Sequence, residues 1–136
     1  MIGQWKSEVT VNGEDQGTAT HQRMWVPGRH GLRMSWQGES DGAVVHAFGI
    51  SGWDSQKKAI VENWHDALGN HTSVIYPLEK MTKSAWEGTA RRVYPDGSVS
   101  EGSCKLEKGD EQWIFTVDGE KEGKPEKVRN VTRKVK

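Results

Sequence analysis

The chain has 136 residues, a length that suits one domain. Hydrophobic residues make up only 33% and mean hydropathy is −0.81, values that alone would fit disorder. Seven tryptophans, at positions 5, 25, 36, 53, 64, 86 and 113, oppose that reading, because each can bury a large apolar area. Nineteen basic residues balance nineteen acidic ones, so the basic excess that neutralises phosphates in nucleic-acid binding is missing. The basic residues near the end (Lys124, Lys127, Arg129, Arg133, Lys134) are interleaved with Glu120, Glu122 and Glu126, which reads as a solvated edge. Cys104 is the single cysteine, which excludes an intrachain disulfide and a multi-cysteine zinc site. No apolar run approaches the roughly 20 residues of a membrane span. The strand pattern starts almost at Met1, as expected of a domain cut from a longer chain. Cytoplasm is the default location, and a secreted or periplasmic one is expected if a leader has been removed.

Turn signals recur along the chain: Asn12-Gly13, Pro27-Gly28, Asp41-Gly42, Gly69-Asn70, Asp96-Gly97, Gly109-Asp110 and Asp118-Gly119. Asn-Gly and Asp-Gly readily take the positive φ of two-residue hairpins. The runs between them predict ten strands, over 3–11, 17–26, 32–39, 43–52, 59–66, 71–78, 84–94, 98–107, 111–118 and 127–135. Alternation gives one buried face to several of them: Trp5, Val9 and Val11 on the first, Leu32, Met34 and Trp36 on the third, Trp113, Phe115 and Val117 on the ninth, Val131 and Val135 on the last. Residues 54–69 also fit a helix, with Ile60, Val61, Trp64, Ala67 and Leu68 at helical spacing, but Ile60, Val61, Asn63, His65 and Asp66 are weak helix formers. Residues 119–127 read as a mobile polar loop. Consecutive hairpins without crossovers predict an all-β fold, an antiparallel up-and-down β-barrel or strongly curved sheet of about ten strands.

Gly3-Gln4-Trp5 opens the first strand. Gly49-Ile50-Ser51-Gly52-Trp53-Asp54 leads into Lys57-Lys58 and Trp64-His65-Asp66-Ala67-Leu68-Gly69, and the chain closes on Arg-Asn-Val-Thr-Arg-Lys. This succession resembles a family of bacterial lipocalin-like domains of unknown function, with a Gly-x-Trp start, a Gly-aromatic-Asp turn and Trp-x-Asp-x-x-Gly. The resemblance implies a barrel and no particular activity. It also implies that an arginine from the last strand packs over the first indole. Arg133, with Arg129 as the alternative, shares the face of Val131 and Val135 and is expected to do so over Trp5.

Five histidines lie on four predicted strands and one turn, but no His-x-x-x-His or Cys-His spacing appears, so no metal or cofactor is expected. Asp54 and Asp66 flank the fifth strand and read as turn residues accepting backbone N–H bonds. Glu62 shares parity with Ile60 and Trp64; if these point inward, it is a buried carboxylate in need of a partner. Arg92 shares parity with Trp86 and Tyr94, and could hold a ligand carboxylate or pair with Glu62. No Gly-x-Ser-x-Gly or phosphate loop occurs, and no catalytic set is expected. The leading expectation is a non-enzymatic barrel around a small, partly apolar molecule. Met34, Trp36, Ile60, Trp64, Trp86 and Phe115 would form its wall, and Arg92, Glu62 or His46 would fix a polar group. The alternatives are an isomerase or cyclase acting on a lipid-like substrate, and a filled barrel used for dimerisation.

Overall fold

The computed structural model describes residues 2–40 and 43–135, so the Asp41-Gly42 turn lies outside the described residues. The strands are β1 (Gly3–Val11), β2 (Glu14–Trp25), β3 (Gly31–Ser40), β4 (Ala43–Asp54), β5 (Ala59–Asp66), β6 (His71–Pro77), β7 (Ala85–Val93), β8 (Val99–Lys108), β9 (Gln112–Lys121) and β10 (Lys124–Lys134). Each pairs antiparallel with its sequence neighbour, and β10 pairs with β1, so the sheet is a closed up-and-down barrel. Closure leaves no unpaired edge strand among the described residues. Among the described residues, no helix is long and apolar enough to cross a membrane.

Segment 54–69 resolves in favour of a strand. Asp54 Oδ1 accepts N–H bonds from Gln56 and Lys57, a turn follows, and β5 then pairs with both β4 and β6. Its β-branched and short polar residues satisfy the ladder better than a helix. Asp66 accepts from the backbone of Leu68 and Asn70 and from the Asn70 amide, which closes the β5–β6 hairpin. Both aspartates do the turn work read from the sequence.

The end of the chain departs from expectation. Asp118-Gly119 is not a turn, and 119–127 is not a loop: β9 runs through to Lys121, and the hairpin turns on Glu122 and Gly123, both with positive φ. Gly119 instead lies opposite Gly102 of β8. A Cβ on Gly102 would collide with the backbone of Asp118 and Gly119, so the two strands approach here only because both residues lack side chains. Gly102→Ala is expected to destabilise the barrel by about 1–3 kcal/mol, the range for overpacking. Urea unfolding would measure it, and a change within about 0.5 kcal/mol would mean the backbones yield easily.

One end of the barrel is filled by aromatic residues. Trp5, Tyr76, Leu106 and Trp113 belong to the buried core, and Ile60, Trp86 and Met81 pack against it. Trp5 meets Trp113 edge-on at 6.3 Å, and Tyr76 meets Trp86 at 5.4 Å. Such contacts add about 0.5–1.5 kcal/mol beyond the area they bury.

The seam between β1 and β10 closes as the sequence predicts, but through other residues. Arg133 points outward, is exposed, and donates to Glu8 at 3.4 Å. Arg129 lies across from Thr10, also on the outer face. Lys134 instead places its Nζ 5.8 Å from the centroid of the Trp5 ring. The inward residues of β10 are Val128, Asn130 and Thr132; Val131 is buried as expected but on the opposite face, and Val135 is exposed. Thr132, fully buried, shares a 2.7 Å hydrogen bond with Ser7 across the seam. A polar pair satisfied inside the barrel reversed the pattern that apolar valines suggested.

Candidate functional site

Above the aromatic end the barrel encloses a cavity of about 350 Å³. Its lining extends to Val11 and Gly17 beside the β1–β2 turn and to Leu68 and Asn70 in the β5–β6 turn, so it opens at the end that carries these two turns. The size falls in the usual range for a small-molecule site, about 300–1,000 Å³. Val9, Val45, Ala47, Trp36, Trp64, Val74, Phe115 and Val128 form largely apolar walls, while His21, Arg23, Glu62, Tyr76 and Trp113 gather near its floor.

The walls depend on small residues in β4. Its inward positions are Val45, Ala47, Gly49 and Ser51, flanked by Trp36 of β3 and Trp64 of β5. A Cβ on Gly49 would strike the Trp64 ring, so the indole lies across that strand only because Gly49 has no side chain. The larger residues of β4 turn outward: Phe48 and Ile50 are more than 60% exposed. His46 is on that outer face and exposed, so it cannot fix a group inside the barrel.

Glu62 is buried, as its parity predicts, but its cation is not Arg92. Arg23 of β2 approaches it at 3.5 Å, and both side chains are under 8% exposed. Trp64 Nε1–H donates to the other carboxylate oxygen at 3.3 Å. Both contacts are long beside the roughly 2.7–2.9 Å of a tight charge-assisted bond. Arg92 stands at the mouth, exposed, and donates to Thr72 at 3.1 Å. Trp36, Trp64, Phe115, Glu62 and Arg92 therefore line one cavity, whereas Ile60 and Trp86 pack into the aromatic end. Met34 is buried opposite Arg23 in the ladder and does not line the cavity.

Two residues of β2, a strand whose pattern marks no apolar face, complete the floor. The His21 ring is edge-on to Trp113 at 5.6 Å and to Trp64 at 5.7 Å. The Arg23 guanidinium lies 5.2 Å from the Trp113 ring centroid. The only hint was the alternation of Ala19, His21 and Arg23 against Thr18, Thr20 and Gln22.

Burial, then the adjacent Arg23 charge, pushes the His21 pKa down to about 3, so its imidazole is neutral at neutral pH. Burial, then the Glu62 carboxylate, raises the Tyr76 phenol well above its ordinary range and holds the Cys104 thiol at about 12. The floor thus holds one ion pair among groups whose protonation is fixed near pH 7.

Four buried polar side-chain atoms have no hydrogen-bond partner among the described residues: His21 Nε2, Arg23 Nε, Trp113 Nε1 and Asn130 Oδ1. All four residues line this cavity. Leaving such groups unpaired costs about 1–3 kcal/mol each, more for a charged one. Among the described residues no cluster of three or more His, Cys, Asp or Glu side chains could hold a metal ion. No protein-family model matches the chain, and no curated protein matches it.

Proposed function

We propose that this chain is a lipocalin-like binding barrel that takes a small, partly apolar molecule into the cavity between Trp36, Trp64, Phe115 and the His21–Arg23–Trp113 floor. The observation that carries this reading is the placement of the unpartnered atoms. Every one belongs to a residue lining the same cavity. Filled cores rarely leave polar groups unsatisfied, and a ligand with matching groups offsets their cost. Binding suits the floor better than proton transfer. A general acid or base works best with a pKa near the operating pH, and His21 and Tyr76 are both displaced far from it.

A neutral apolar fluorophore, 1-aminoanthracene, tests this directly. The wild-type protein is expected to bind it saturably, one molecule per chain, with enhanced emission. Ala47→Leu, which pushes a larger side chain into the cavity, is expected to lose that binding while keeping the wild-type far-UV spectrum. Undiminished binding to a folded Ala47→Leu protein would place the dye outside the barrel and count against the reading.

A further inference from the structure

The atoms at the cavity floor do more than mark a binding site; they discriminate among the polar groups a ligand could present. Arg23 Nε and Trp113 Nε1 can only donate hydrogen bonds, and His21 Nε2 can donate in one neutral tautomer. His21 and Arg23 both pack against Trp113, and each of the three residues is no more than 7% exposed. The three nitrogens lie just behind the cavity surface, so a ligand oxygen meets them as the floor side chains shift to admit it. Their complement is an acceptor oxygen. The local charge then decides which kind. Arg23 already has its counter-charge in Glu62, and the imidazole beside it is neutral. A carboxylate delivered here would be a second buried anion beside Glu62, with a single cation between them. In an interior of low dielectric, that arrangement forces one carboxyl to take up a proton or the ligand to stay out. A neutral acceptor meets the same donors without that cost.

Resting on the binding reading above, we infer that the ligand is an uncharged carbonyl compound, such as a ketone, aldehyde or amide, seated with its oxygen toward Trp113 Nε1 and Arg23 Nε and its apolar body along the Trp36, Trp64 and Phe115 walls. This is the opposite of the site expected if Arg92 held a fatty-acid carboxylate. Arg92 is exposed at the mouth, away from the unpartnered donors, and is engaged by Thr72. The cavity of about 350 Å³ sets the size. At roughly 30 Å³ per water-sized atom in a liquid, it takes about twelve heavy atoms.

The test compares two probes of matched size, 2-decanone and decanoate, by calorimetric titration at pH 7. The wild-type protein is expected to bind 2-decanone at least about tenfold more tightly, a difference of about 1.4 kcal/mol. Trp113→Phe, which removes one donor and keeps an aromatic ring, is expected to weaken 2-decanone several-fold. Glu62→Gln frees the Arg23 charge, so decanoate is expected to gain at least about tenfold and overtake the ketone. Tighter binding of decanoate by the wild type would overturn the carbonyl assignment while leaving the cavity reading standing. A preference for 2-decanone that neither variant alters would also overturn it, because the oxygen would then not be at this floor. Failure of both probes and of the fluorophore to bind would sink the cavity reading itself. If Glu62→Gln does not fold, the wild-type comparison and Trp113→Phe still decide the matter.

Discussion

Glu62→Gln is expected to lower the unfolding free energy by about 3–5 kcal/mol, the range for breaking a buried ion pair from one side. The substitution keeps the shape but leaves the Arg23 guanidinium, 5% exposed, without its counter-charge. It also weakens the acceptor for the Trp64 indole N–H. Replacing both members, as in Arg23→Met with Glu62→Leu, is expected to recover most of the loss. A buried pair exchanged for apolar groups of similar volume is often neutral or stabilising. Urea unfolding of the two single variants and the double variant measures the coupling. A Glu62→Gln protein within about 0.5 kcal/mol of wild type, the usual surface range, would mean that the pair is not buried as described.

Acid is expected to destabilise the barrel as the pH falls below about 6.5, and His21 is one cause. The unfolded chain takes up a proton on this residue near pH 6.5, whereas the native pKa is about 3. Between those values the unfolded state binds more protons, so stability rises with pH. The contribution is fully present above about pH 6.5 and is lost as pH falls toward 3. By pH 4.5 the loss amounts to about 2–3 kcal/mol, at roughly 1.4 kcal/mol per pH unit. His21→Gln removes this group, so its stability curve should be flatter than the wild type's between pH 7 and 4.5. Parallel curves would show that His21 is not held neutral in the folded protein.

The barrel was legible because turns and alternation agree across most of the chain. Asn12-Gly13 takes the positive φ its sequence suggests, and β3 and β9 bury the faces marked by Met34 and Trp113. Glu62 could be placed because Ile60 and Trp64 flank it on an inward face. Arg23 and His21 could not, because β2 is polar on both faces and alternation then carries no direction. On β4 it is the inward placement of His46 that fails, because His46 shares a face with Phe48 and Ile50. Phe48 and Ile50 advertise a buried side, but the two neighbouring indoles occupy that space, so small residues turn in and large ones turn out. On β10 Val131 is buried on the outer face, so its burial did not mark the inward side, where Thr132 partners Ser7. Which two long side chains meet across a barrel is a tertiary fact. Arg23 and Glu62 are 39 positions apart on non-adjacent strands, and no local spacing records their pairing.

The most direct test is the set of indole N–H resonances of the seven tryptophans, observed in an ¹⁵N-labelled protein during titration with 2-decanone. Trp113, buried and without a partner for its N–H, is expected to shift downfield and saturate as that proton gains an acceptor. Trp36 and Trp64 should move by smaller ring-contact effects. Trp25 and Trp53, about half exposed and not part of the cavity lining, should stay in place. Saturable shifts at Trp25 or Trp53 with Trp113 unmoved would contradict a binding site inside the barrel.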